Sequence, residues 1–271
     1  MRDVQFKKFL SPASIYFWIF AVFLYFPIFL LVILSFNDSA LLRFPLKGFT
    51  LDWYKTVLRS HELVGALQNS VVVGVVSSVV SGVLGTMAAI GIVRFRFPGR
   101  NLFLAISALP LVIPAIVIGV ALLILFRSIL DVDLSLWTLG LSHVVINIPI
   151  VMLIVASRLA GMDANLEEAA MDLGASYWTA QLRVTLPIVF PALIAAFLTA
   201  FTTSFDEYAM SVFVVGTKPT LPVYMYSMLR FPRKIPVVVT MASIILVASI
   251  ALIFLAEQLR RAGQNSTSKV R

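Results

Sequence analysis

The sequence contains no cysteine, and only two of its 271 residues are histidine, His61 and His143. The first absence excludes disulfides, thiolate metal sites and cysteine nucleophiles. The scarcity of the second speaks against a histidine-based metal cluster. Charge is sparse as well: 13% of residues carry one, against roughly 25% in an average soluble domain. The phosphate-binding pattern G-x-x-x-x-G-K-[ST] does not occur, and "VVGTK" at Val214–Lys218 lacks its first glycine and its Ser or Thr. Ten-residue segments of alternating polarity, which would mark a membrane barrel, are missing too, and no segment repeats another.

What fills the chain instead is apolar. Hydrophobic residues make up 60% of it and the mean hydropathy is +0.99. Runs of about 20 such residues recur, long enough to cross a bilayer core roughly 30 Å thick. Because backbone polar groups must be satisfied within lipid, these runs predict an all-α integral membrane protein. Six spans are expected, at 14–36, 71–93, 102–126, 137–156, 188–205 (with apolar character resuming to 216) and 235–256, in one membrane domain over 1–271. Lys7 and Lys8 precede the first run, but it exceeds a signal core of about 7–15 residues and no small-residue cleavage site follows. It is therefore read as a helix.

The formal net charge of +8 is read as cytoplasmic anchoring by Lys and Arg, with no nucleic-acid partner. With the N-terminus inside, the cytoplasmic side holds 12 of the 21 Lys and Arg and the other side 9. The cluster "RFRFPGR" at Arg94–Arg100 adds to that bias. Both termini are then expected in the cytoplasm, with 258–271 as a tail that is disordered from Gln264 onward. Pro110 and Pro114 fall inside the third span, Pro149 inside the fourth and Pro191 near the start of the fifth; they mark either ordinary packing curvature or carbonyls freed beside neighbouring helices or a water-filled path. Gly74, Gly82 and Gly85 with Ser77, Ser78 and Ser81 give the second span a small-residue face suited to close helix contact.

Between the fourth and fifth spans lies a polar insert, "NLEEAAMDLGASYWTAQLRVTLP", Asn165–Pro187, within a region expected at 163–187. Asn165 followed by Glu168 fits a capping-box variant. Leu166, Ala169, Ala170, Leu173 and Tyr177 recur at helical spacing, with Glu167, Glu168 and Asp172 mainly on the other side. Gly174 either ends this helix or lets another chain approach closely. A second short helix is expected from Ser176 to Arg183, and Pro187 suits the first turn of the fifth span. The pattern suits a cytoplasmic docking knob, or else a solvated interfacial hairpin.

The spacing is more specific. Glu168-Ala169-Ala170, three residues, Gly174, nine residues, then Val184-Thr185-Leu186-Pro187 resembles the EAA signature of the membrane subunits of ABC importers, with Val184 where the family has isoleucine. The resemblance extends over essentially the whole chain. It implies a six-helix permease of the bacterial inner membrane, not itself an enzyme, with a coupling helix between helices 4 and 5. Glu168, Ala169, Ala170, Asp172, Gly174, Leu186 and Pro187 would form the surface that meets the ATPase. ATP and its magnesium would be bound by that partner, present as a dimer, and this chain would carry no cofactor. A second permease subunit and an extracytoplasmic solute-binding protein complete the implied assembly.

The cargo is less closely specified. Asp206 and Glu207 interrupt an apolar run, and Asp206 lies roughly 27 Å along a helix starting at Ile188. Ionisable groups at such depth usually face a partner or a water-filled path, and two carboxylates favour a cation. Glu207 is also open to an architectural role, and Tyr208, Asn147 and Thr203 are further candidates for the pathway. His143 is expected to be a satisfied packing residue. "SFNDS" at Ser35–Ser39, "GFTLDWY" at Gly48–Tyr54, "RFRFPGR", "EAAMDLGAS" and "TLPVYMYSMLRF" at Thr220–Phe231 are similar to the second permease of spermidine/putrescine-type importers. That implies a polyamine, while leaving open another small solute, such as an amino-acid derivative, an opine or a sugar-like molecule. The alternative from another class is an autonomous ion-coupled carrier, whose usual duplicated halves are not found here.

Overall fold

A computed structural model describes residues 12–39, 45–163 and 165–268. Arg2, Lys7, Lys8, Arg43, Lys269 and Arg271, which carry part of the expected charge asymmetry, lie outside the described residues. Among the described residues there is helix throughout and no strand, only an isolated bridge between Asn37 and Phe49. Among the described residues five helices are long and apolar enough to cross a membrane, or six if a bent pair counts as one span. The chain divides into two compact units: the described parts of Met1–His61 and Met225–Arg271, and Glu62–Tyr224.

In the first unit, α1 (Pro12–Leu34) leads to a short amphipathic α2 (Asp52–Arg59). The "SFNDS" stretch between them forms a polar knot. The Ser35 hydroxyl donates to Val32 O (2.6 Å) and lies 2.7 Å from the Tyr54 hydroxyl. Trp53 Nε1 donates to Asn37 O (3.0 Å), and Asn37 Oδ1 accepts from the Lys47 amide (3.2 Å). Ser35 and Asn37 are buried, so such bonds are required to offset the loss of water.

The second unit holds α3 (His61–Arg94), α4 (Arg100–Val112), α5 (Ala115–Ile124, continued by a π turn at Leu125–Ile129) and α6 (Leu136–Ala160). Then come α7 (Asn165–Asp172), α8 (Tyr177–Ala180), a π turn at Gln181–Thr185, α9 (Leu186–Asp206) and α10 (Ser211–Val214). Two helices close the chain: α11 (Leu221–Met228), then α12 (Ile235–Ser268), which belongs to the first unit.

The core of the second unit joins α3, α6 and α9 through Ala89, Ile92, Val151, Met152, Val155, Val189, Ala196 and Ala200. The small-residue face of α3 makes that approach possible: Ser77, Ser78 and Ser81 are all buried. A Cβ on Gly85 would come 2.7 Å from Val151 Cβ and 3.0 Å from Ile148 O, so no larger residue fits without movement.

Several boundaries differ from those expected. The third span, predicted as one run over 102–126, is α4 and α5 meeting at a 104° bend. Pro114 bars helical geometry at Ile113, whose ψ is 130°, so packing curvature does not describe this proline. Pro149 and Pro191, in contrast, sit inside unbroken helices. The second span starts at His61, ten residues before the predicted 71, because polar residues extend the helix beyond its apolar window. Within that extension Ser70 Oγ accepts the Leu221 amide (2.8 Å) and Asn69 Nδ2 donates to Pro219 O (3.0 Å). The fifth span ends at Asp206 and the helical run does not continue to 216. The last helix continues through Gln264 to Ser268, where disorder was expected; its "EQLRRA" turn is rich in strong helix formers.

Candidate functional site

The polar insert begins with Asp163, whose Oδ1 accepts the Asn165 amide (3.0 Å). Asn165 is thus already inside α7, and the expected Asn165/Glu168 capping box does not form, because the aspartate two residues earlier takes the free amide. The helix ends at Gly174, with φ of +92°. The Ala175 amide reaches back to Ala170 O (3.0 Å) and the Gly174 amide to Met171 O (2.9 Å). This is the paired closure of a Schellman motif. Nothing lies within 4 Å of the place a Cβ would occupy, so the backbone conformation, not crowding within this chain, calls for glycine.

The helix expected at Ser176–Arg183 is not separate. Ser176 caps it by accepting the Thr179 amide (3.3 Å), but Tyr177–Asp206 then runs as a single 30-residue helix through the π turn. Its wide turn directly precedes Pro187, which has no amide proton to offer the preceding turn. α8 and the fifth span are therefore one continuous helix.

The insert presents an apolar surface. Leu173 is 90% exposed, Trp178 72% and Leu182 63%, joined by the exposed Leu166 and Met171. Tyr177 and Trp178 meet edge to face at 5.6 Å. Glu168, Ala169, Asp172, Gly174, Leu186 and Pro187 are exposed and Ala170 is half-buried. On α7, exposed Leu166 and Met171 stand with the exposed carboxylates of Glu168 and Asp172, while Trp178 and Leu182 lie on the helix that continues into the fifth span.

Glu167 behaves differently from its neighbour. It was placed on the polar side with Glu168 and Asp172, yet it is buried. Its Oε1 accepts from Arg94 Nη2 (3.0 Å), Arg94 Nε (3.2 Å) and Thr185 Oγ1 (2.6 Å). The Arg94 and Glu167 side chains are only 14% and 10% exposed, so this is a buried ion pair. Removing one partner of such a pair costs roughly 3–5 kcal/mol, whereas an exposed pair contributes about 1 kcal/mol or less. Helical spacing alone did not separate Glu167 from Glu168, because the partners that bury it, Arg94 and Thr185, lie on other elements.

At the other end of α9, Asp206 is exposed and Thr203, one turn earlier, is half-buried with its hydroxyl donating to Thr199 O (2.9 Å). Glu207 breaks the helix, with ψ of 121°, and turns its carboxylate onto the next segment. Its Oε1 accepts the Met210 amide (2.9 Å), and its Oε2 accepts both the Ser211 amide (2.9 Å) and the Ser211 hydroxyl (2.8 Å). Ser211 in turn lies 2.9 Å from His143 Nε2, while His143 Nδ1 bonds the Ser204 hydroxyl, which is 3.1 Å from that of Ser77. Because the Ser211 hydroxyl donates to Glu207, its oxygen is left to accept from His143 Nε2. A buried polar chain therefore ties α3, α6 and α9 to the Glu207 turn.

The pathway candidates lie on the fifth span, the turn after it and the fourth span. Asp206 and Thr203 share a face of α9. Asn147 is buried instead against α9, its Nδ2 donating to Ala200 O (3.2 Å), and Tyr208 is half-buried. Among the described residues no group of three or more His, Cys, Asp or Glu could hold a metal ion.

Comparison with known proteins follows the same lines. Residues 81–262 match the family described as binding-protein-dependent transport system inner membrane component. The spermidine/putrescine transport system permease protein PotC of Escherichia coli (strain K12) is 35% identical over 242 residues, which is 88% of this chain and 90% of that protein. The putrescine transport system permease protein PotI of the same strain is 36% identical over 215 residues, 77% of this chain and 76% of that one. The fold is also that of a chain in the crystal structure of a bacterial ABC transporter involved in the import of the acidic polysaccharide alginate. The TM-score there is 0.71 at 19% identity, covering 95% of this chain and 98% of that one.

Proposed function

Since this chain belongs to the family of binding-protein-dependent transport system inner membrane components, and is thus a multi-pass permease subunit of an ABC importer, we propose that it carries a polyamine across the inner membrane. The observation that supports this cargo most is the identity to PotC over nine-tenths of that protein's length. An exposed carboxylate at Asp206, at the end of the fifth span, suits a polycation. The solute is delivered by an extracytoplasmic binding protein, and the chain pairs with a second permease above a dimer of ATPase subunits. ATP and magnesium reside on those subunits, and both termini of this chain face the cytoplasm.

In this account the knob of α7 and α8 seats in the ATPase. Leu173, Trp178 and Leu182 supply apolar area, Glu168 and Asp172 the charged rim, Ala169 and Ala170 close approach, and Gly174 the turn. Leu186 and Pro187 join the knob to the fifth span. Closure of the ATPase dimer moves the knob, and with it the inward- and outward-facing balance of the spans. The partner must bind the two states unequally, since equal affinity would shift nothing.

The cargo is tested by competition in vesicles holding the whole importer with its binding protein. Uptake of labelled putrescine should be displaced by spermidine and unaffected by sugars or amino acids. Failure of the binding protein to bind either polyamine would end the assignment. Asp206→Asn should raise the KM for spermidine about fivefold, the equivalent of the roughly 1 kcal/mol of an exposed ion pair. An unchanged KM would remove Asp206 from the pathway.

A further inference from the structure

We propose that Glu167, through Arg94 and Thr185, is the positioning residue that carries movement of the docking knob into the second and fifth spans. This rests on the coupling role just proposed for α7 and α8. An eight-residue helix is too short to hold itself together or to act as a lever, so its direction is set by what it is bonded to. Its backbone leaves at Gly174 through a left-handed glycine, a poor conduit for torque. Glu168 and Glu167 diverge by about 100° around the axis, and the structure divides them accordingly: Glu168 exposed, Glu167 buried.

A single oxygen, Glu167 Oε1, receives protons from Arg94 at the last residue of α3 and from Thr185 at the last residue of the π turn before α9. Apolar contacts can slide over one another, whereas charge-assisted hydrogen bonds from two directions fix both distance and orientation. The two helices bonded in this way, α3 and α9, both pack on α6 in the core. A push on the exposed side of α7 is thereby delivered at two points to the bundle.

The test uses the complete importer reconstituted in vesicles, with solute uptake and ATP hydrolysis measured together. Glu167→Gln keeps the shape and removes the charge, Thr185→Val removes one bond, and Glu167→Arg and Arg94→Glu each leave a like-charge pair. The expected result is assembled importer that still hydrolyses ATP, with solute moved per ATP reduced about tenfold in Glu167→Gln and further in the two reversals. The double variant Arg94→Glu with Glu167→Arg should recover most of that ratio, since the Thr185 hydroxyl can accept as well as donate. A merely structural role would change the amount of assembled importer and leave the ratio intact.

An unchanged ratio in Glu167→Gln and Glu167→Arg would overturn the proposal, and so would a double variant no better than its parents. Loss of assembly in every variant, Thr185→Val included, would also overturn it, because the bonds would then hold the fold and not transmit movement. Glu168→Lys combined with Gly174→Trp distinguishes the two levels. If that exposed-side variant transports normally, the docking role itself fails; if it is inactive while the Glu167 series is normal, only the role of Glu167 falls.

Discussion

Gly85 and Val151 stand so close that the second and fourth spans touch through a glycine surface, and the consequence is measurable. Gly85→Ala should lower stability by about 1–3 kcal/mol, the usual cost of overpacking, and Val151→Ala should relieve it in the double variant. Thermal unfolding of the detergent-solubilised subunit would read both. Non-additivity is the diagnostic, since residues in contact do not sum. His143 makes a second such case. With Ser204 and Ser211 on its two ring nitrogens it has no bond to spare, and His143→Ala should cost about 1–3 kcal/mol by stranding buried hydroxyls. His143→Asn, which keeps one donor and one acceptor, should recover part of that loss; equal loss in the two variants would argue against the hydrogen-bonded chain.

At the scale of elements, the helices were legible and their interruptions were not. Apolar runs locate the spans because lipid leaves the backbone no alternative to helix. They cannot show where polar residues extend a helix, as at His61–Ser70, whose support comes from Pro219 and Leu221 far along the chain. Nor does a proline announce its effect. Pro114 breaks the third span, whereas Pro110 inside α4 and the buried Pro149 inside α6 leave their helices whole. The short helix of the polar insert was legible from spacing alone. The inward turn of Glu167 was not, because its partners, Arg94 and Thr185, sit on two other elements. Gly174→Ala tests the element most simply: forcing a side chain into left-handed geometry should cost about 1–2 kcal/mol of local stability. Faster amide exchange over Leu166–Ala175, with the spans unaffected, is the expected sign.

For the whole molecule, family membership makes this chain a membrane subunit of an ABC importer, a class that works with ATPase and binding-protein partners, and the proposed role of the exposed insert is to meet that ATPase. On that proposal, its work depends on transfer of motion from an exposed helix to buried spans. The most direct measurement is ATP-dependent solute uptake by reconstituted importer carrying Glu168→Lys together with Gly174→Trp, with membrane insertion checked alongside. Uptake abolished and insertion intact is the predicted result. Undiminished ATP-dependent uptake by that variant would contradict the account.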